Sequence, residues 1–337
     1  MMDKHPQVGR ELLAHAMTAG EALGVRWKLK TQHANENADA LLLATYGQHE
    51  VLYRAKVKPR LRQETLGVVL HQMKELGENA LLVIEYAAPP LAETLRERGI
   101  AFIDTAGNAY LAAPHFLIWV KGQRPAVLPE TTGPTGRAFT ATGLQVLFAL
   151  LCHPEWINRP YREIAKDAGV AHGTVGWVMA ELPALGFAAK INGKRHLTQG
   201  AQLLRQWVEA YARTLRPKLV LARYRAERLD WVTPELARQY DMALGGEPAG
   251  AYLTQHLRPA TATFYGAKAA PRMILDQRLR ADPNGNVELL RRFWTFEDDR
   301  PGLVPELLVY ADLLALGDAR CLETAELLHD RIVDRFN

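Results

Sequence analysis

Two groups of residues in this sequence have types and spacing that could do chemistry. Asp39, Glu50 and Lys56 form the first: two carboxylates and an ammonium that could bracket a divalent metal ion and a water, as metal-assisted hydrolysis requires. Arg54, Lys56, Lys58, Arg60 and Arg62 recur at every second residue there. A continuing strand would carry all five cations on one face, although Pro59 should end the strand or place it at a sheet edge. The second group is His172, Thr174 and Trp177, followed by Lys190, Lys194, Arg195 and His196. His172 and Thr174 suit hydrogen bonds to base edges or phosphates, and the cations suit phosphate neutralisation or a minor groove. An indole at Trp177 suits packing on the base of a hairpin, or stacking on sugar and base. Elsewhere the residues point to structure. Asp104, Gly107 and Asn108 read as a tight turn fixed by an Asx bond, with Asn108 in left-handed geometry. Gly245-Gly246-Glu247 lacks the Lys-Ser/Thr of a P-loop and reads as a helix start. Gly317 separates Asp312 from Asp318, which should begin the last helix, and no His or Cys spacing suits zinc. Neither a cofactor nor a bound metal is expected.

The elements that position the second group are the most legible part of the chain. Leu144, Leu147, Phe148 and Leu151 repeat at helical spacing. Pro160 suits the first turn of a second helix, Tyr161 to Ala168, which Gly169 stops. A third helix follows from about Ala171 to Leu185, with Val175, Val178, Met179 and Leu182 inward and Pro183 ending or kinking it near residue 182. Asn192-Gly193 suits a type I′ turn, so Phe187 to Thr198 predicts a β-hairpin. Two helices around a Gly turn, then a hairpin with a basic tip, predict a winged helix-turn-helix whose third helix enters the major groove. The same fold also serves as a protein-interaction module.

Ahead of it, strands at Ala40–Thr45, Val51–Val57, Ala80–Tyr86, Ile100–Asp104, Asn108–Ala112 and Phe116–Lys121 are separated by helices at Gln63–Leu76 and Leu91–Arg98. The expected fold class is therefore a multi-domain α/β protein. Its domains would be an α/β domain at 1–124, a Pro/Gly/Thr-rich linker at 125–137, the winged helix at 138–216 and a C-terminal α/β domain at 217–337. The last boundary is drawn at Arg216-Pro217. Residues 133–218 hold 11 Lys/Arg against 5 Asp/Glu, so the positive excess lies where a polyanion would dock.

Two longer resemblances overlie these readings. Asp39, an apolar strand and Tyr-Arg-Ala-Lys56 resemble the core of the PD-(D/E)XK nuclease-like fold, in which an Asp, an Asp/Glu and a Lys gather around Mg²⁺. Arg54 stands where that motif has an acid and Ala38 where it has proline. Asp39, Glu50 and Lys56 are thus expected to be vestigial and the domain inactive. Gly99-Ile-Ala-Phe-Ile-Asp-Thr-Ala-Gly-Asn-Ala-Tyr-Leu111, Leu244 to Thr254, and Leu308 to Ala325 with its Tyr-Ala-Asp-Leu-Leu are similar to stretches of regulators related to the AbiEi antitoxins of type IV toxin–antitoxin systems. That resemblance implies a DNA-binding transcriptional regulator, not an enzyme, that represses its own operon. Two alternatives stay open: an antitoxin acting mainly through a toxin protein, and a metal-dependent nuclease.

Composition narrows the setting. With 337 residues, 48% hydrophobic and 23% charged, a disordered chain is excluded, and two cysteines exclude a disulfide framework. There is no apolar run of membrane-spanning length and no apolar leader after Met-Met-Asp-Lys, so the expected location is the cytoplasm, without a membrane partner. Double-stranded DNA is the expected partner. A homodimer is the expected assembly, since pairing is how a winged helix lengthens its site.

Overall fold

The computed structural model of the protein describes residues 4–32, 38–59, 61, 63–125, 136–297 and 300–336. The chain divides into two compact units, Met1–Pro134 and Thr135–Asn337, each of mixed α/β structure.

The first unit is a seven-stranded sheet whose strands lie side by side in chain order. Helix α1 (Lys4–Glu21) leads into β1 (Arg26–Gln32), β2 (Ala40–Tyr46) and β3 (His49–Lys58). Helix α2 (Gln63–Leu76) precedes β4 (Ala80–Ile84), α3 (Pro89–Glu97) precedes β5 (Ala101–Asp104), and β6 (Ala109–Ala113) and β7 (Phe116–Val120) complete the sheet. β3, β4 and β5 are parallel, and the other neighbours are antiparallel. The parallel centre is buried on both faces, which is why β4 reads as a continuous apolar run from Leu81 to Ile84. On β3 the two faces differ. Tyr53 and Ala55 join Leu42 and the α1 residues Leu12, Leu13 and Ala16 in the core, while Arg54 and Lys56 alternate to the other side. Every element expected between Ala40 and Lys121 is present. α1 and β1 were not anticipated: Ala-rich α1 and the Lys-interrupted β1 give weak apolar periodicity. In the turn after β5, Asp104 Oδ1 accepts from the N–H groups of Ala106 and Asn108, as an Asx turn should. The left-handed residue is Gly107 (φ +90°) rather than Asn108, because glycine takes that geometry without a Cβ clash.

The second unit opens with α4 (Ala141–Cys152), α5 (Tyr161–Asp167), α6 (His172–Glu181) and the strands β8 (Ala188–Ile191) and β9 (Lys194–Leu197). Helix α7 (Gly200–Ala210) passes through a π turn at Tyr211–Leu215 into α8 (Arg216–Leu219), which runs directly into β10 (Val220–Arg225). α9 (Pro234–Gln239), β11 (Met242–Gly245), α10 (Gly246–Thr254), β12 (Ala262–Gly266), α11 (Pro271–Asp276), β13 (Arg280–Ala281), β14 (Val287–Arg291), α12 (Glu306–Leu316) and α13 (Ala319–Val333) follow. The five strands β10 to β14 form one sheet in the order β11-β12-β14-β10-β13.

The boundary drawn at Arg216-Pro217 falls inside this unit, and the reason is local. Pro217 has no N–H to give, and the helix meets it with the π turn, in which the Arg216 N–H reaches back five residues to Tyr211 O. Tyr211 and Arg216 thereby serve one partner, the fully buried carboxylate of Asp312 on α12. The Tyr211 hydroxyl donates to Asp312 Oδ1 at 2.8 Å, Tyr265 donates to Oδ2 at 2.9 Å, and Arg216 Nε donates to Oδ1 at 3.1 Å. Arg216 Nη2 also pairs with Glu288 at 2.6 Å. Burial first, and the Asp312 charge second, push both tyrosine hydroxyls well up, so they remain proton donors.

An aromatic cluster fastens the helices to the rest of the unit. Phe148 of α4 lies 5.5 Å from Trp207 of α7, centroid to centroid, and 5.0 to 5.8 Å from Phe293, Trp294 and Phe296. Thr295, in the same segment, donates from its N–H to Asp167 O and from its hydroxyl to Lys166 O, both at 2.9 Å. It thereby gives the Asp167 carbonyl a partner and adds a second to the Lys166 carbonyl, which also accepts the Gly169 N–H at 3.1 Å. Asp312→Ala should destabilise this unit by about 3 kcal/mol or more, since Arg216 would stay buried with Glu288 alone. Urea unfolding followed by tryptophan fluorescence measures it, and a loss below about 1 kcal/mol would assign the network little stabilising effect.

Candidate nucleic-acid interface

The α5–α6 turn follows from one backbone requirement. Gly169 has φ +65°, and a Cβ there would meet Phe293 O at 2.6 Å, so the position admits only glycine. α6 leaves the turn with Val175, Val178 and Met179 buried and Leu182 capping it, while His172, Gly173, Trp177 and Ala180 are exposed and Thr174 is half-buried. The helix ends at Glu181, just before Pro183. Asn192 (φ +50°) and Gly193 (φ +80°) make the turn between β8 and β9 with positive φ at both central positions.

Cross-strand pairing sorts the hairpin cations into two sets. Lys190 pairs with Arg195 and Ile191 with Lys194, so Lys190 and Arg195 share one face while Lys194 and His196 share the other. Lys190, Lys194, Arg195 and His196 are all exposed. The Asn158 side chain holds the hairpin from outside: Nδ2 donates to Arg195 O at 2.8 Å and Oδ1 accepts the Arg195 N–H at 2.9 Å. The Arg195 guanidinium donates to the Tyr161 hydroxyl at 2.8 Å and lies over its ring. A cleft of about 430 Å³ results, lined by Asn158, Arg159, Tyr161, Lys190 and Arg195, with no acidic side chain in its wall. Arg159 is neutralised by Glu163 and Asp167, which leaves Lys190 and Arg195 as its positive groups.

Trp177 is 53% exposed, and its ring carries the Arg137 guanidinium at 3.4 Å. One face of the indole is thereby occupied by Arg137. Arg137 is the last residue of the linker expected from the sequence; residues 126–135 of that linker lie outside the described residues. Arg137 itself starts a short 3₁₀ turn that is tied to α6 where the Ala138 N–H donates to Glu181 Oε2 at 2.7 Å. The sequence reading missed Asn158, Tyr161 and Arg137, whose partners are 34 to 43 residues away or on another element.

In the first unit, Asp39 and Lys56 do meet. Lys56 Nζ donates to Asp39 Oδ1 at 3.2 Å, and the Val57 N–H donates to Oδ2 at 2.8 Å. Glu50 is at the opposite end of β3, six residues from Lys56, or about 20 Å along a strand. Arg54 turns to the end of α2, donating to Leu76 O at 2.9 Å and Glu78 O at 3.2 Å. Arg54, Lys56 and Lys58 share a strand face, while Arg60 and Arg62 lie outside the described residues. In the second unit, Glu247, Asp318 and Cys321 have ligand atoms within 4.8 Å of one another. Glu247 is buried and spent on the Ala260 N–H and the Thr261 hydroxyl, and Asp318 caps α13 through the Cys321 N–H. Burial pushes the Cys321 thiol far up, which keeps it protonated.

Among the described residues no helix is long and apolar enough to cross a membrane. Neither curated proteins nor solved structures supply a match. Residues 196–334 match the family described as "Transcriptional regulator, AbiEi antitoxin, Type IV TA system", a span that runs from the end of the hairpin through the Asp312 network to the last helix.

Proposed function

We propose that this protein is a transcriptional regulator that binds duplex DNA through a winged helix-turn-helix built from α4, α5, α6 and the β8–β9 hairpin. The observation that carries this reading is the hairpin: Lys190, Lys194, Arg195 and His196 are exposed on a rigid support that Asn158 clasps, next to an acid-free cleft. Phosphate contacts from Lys194 and Arg195 would position the protein, and Thr174 and His172 at the start of α6 would meet base edges. Two copies on adjacent half-sites are the proposed assembly, and the chain's own operon is the proposed target. The family match supports a regulator of the antitoxin kind, with a toxin protein as second partner. An antitoxin acting mainly through that toxin is the second reading, favoured by the match beginning at residue 196, after both α5 and α6.

A metal-dependent nuclease has weaker support. The position two before Lys56 is Arg54, engaged with backbone carbonyls, and Glu50 lies too far along β3 to share an ion with Asp39. Incubating the protein with supercoiled plasmid and Mg²⁺ or Mn²⁺ should leave the plasmid intact, as for Lys56→Ala; nicking lost in that variant would reinstate the enzyme.

Lys194→Ala and Arg195→Ala should each weaken binding to all duplexes and reduce the slope of log affinity against log salt by about one unit. Fluorescence anisotropy across a salt series reads this, and an unchanged slope would remove the hairpin from the interface. Thr174→Ala should lose about 1 to 3 kcal/mol of discrimination between the selected site and random DNA. Equal losses on both would argue against base reading.

A further inference from the structure

The exposed surface of α6 is poor in groups that read bases. Gly173, Gly176 and Ala180 offer no side-chain donor, and open space surrounds both glycines. His172 and Thr174 lie in the first turn only. Such a surface lets the helix approach a groove closely but leaves its middle without polar contacts of its own. At that middle position stands Trp177, and on its ring lies a guanidinium from a different part of the chain.

Resting on the DNA-binding reading, we infer that Arg137 is a specificity-determining residue that recognises guanine in the major groove, held on the surface of α6 by Trp177. Contact at 3.4 Å between Cζ and the ring centroid leaves room only for a flat stack, so the guanidinium donors spread in a plane parallel to the indole, on an exposed side chain. The peptide group that follows it is held at both of its polar atoms. Ala138 N–H is bonded to Glu181 Oε2, and Arg137 O accepts the Thr140 hydroxyl at 2.7 Å. No ion pair or side-chain hydrogen bond engages the Arg137 guanidinium among the described residues. A planar fork of free donors, oriented before binding, matches the paired O6 and N7 acceptors of guanine. Stacking also reduces the side-chain freedom lost on contact.

The experiment selects duplexes from a random library with the full chain, then measures affinity for the selected site and for a copy changed at each position. The wild-type protein should favour guanine at one fixed position. Arg137→Ala should lose that preference about ten- to a hundred-fold at that position alone, with the others unchanged. Arg137→Lys should lose it too, because an ammonium keeps the charge without the fork. Trp177→Ala should copy Arg137→Ala, and the double variant should add little further loss. Both side chains are exposed, so the variants should keep the wild-type unfolding midpoint. A uniform loss on all sequences, or full retention by Arg137→Lys, would make Arg137 a phosphate contact and overturn the inference. If Lys194→Ala still weakens binding while Arg137→Ala changes no preference, the inference falls and the DNA-binding reading stands. If the wild-type chain binds no duplex, both fall.

Discussion

A carboxylate with no exposure to water must be neutralised or fully bonded, and Asp312 is both opposed by a charge and bonded on each oxygen. Its partners come from two places far from it in sequence: Tyr211 and Arg216 at the π turn, and Tyr265 on β12. The long helix that follows the hairpin is thereby locked to the five-stranded sheet. α7 in turn holds α4, where the Trp207 indole N–H donates to Leu144 O at 2.8 Å. From the buried ion outward, each layer orients the next, and the last one oriented is the exposed surface of α6 with its hairpin.

That surface is built from residues whose supports are themselves bonded. Arg195 is held through its backbone by Asn158 and through its guanidinium by Tyr161, and Arg137 through its neighbour by Glu181 and through its guanidinium by Trp177. Long cationic side chains ordinarily lose rotamer freedom on binding, and prior placement lessens that loss. The first unit contrasts with this. Its sheet brings Asp39 and Lys56 together but places Arg54, not a carboxylate, on the strand between them and Glu50. Asp39 and Lys56 form an ion pair that Glu50 is too far along β3 to join.

What could be read directly from the residues was whatever depends on near neighbours. The 3.6-residue spacing of Val175, Val178, Met179 and Leu182, the Gly169 stop and the Asn192-Gly193 pair each specify geometry within a few positions, and each appears in the structure. Asn158 carried no such signal, because its partner on β9 is 37 residues away and an Asn before Arg-Pro is ordinary loop chemistry. Arg137 was hidden for the same reason at the end of a Pro/Gly-rich stretch. At Arg216-Pro217 a sound local rule marks a place that lies inside the second compact unit: proline does break an α-helical bond, but the chain widens by one residue and continues. The role of Asp312 was equally invisible, since Tyr-Ala-Asp-Leu-Leu does not announce a tyrosine and an arginine some 100 positions earlier.

The bond from Thr295 to the end of α5 has a practical corollary. Residues 136–216, cut out as a free-standing module, would leave the carbonyls of Lys166 and Asp167 without their clasp and turn Phe148 toward solvent in place of Phe293, Trp294 and Phe296. Gly169, shaped to admit a carbonyl that is no longer there, would be free to sample other backbone states. In this chain the helix pair is less a cassette than the outer edge of a larger body, and its shape is maintained from a segment more than a hundred residues downstream.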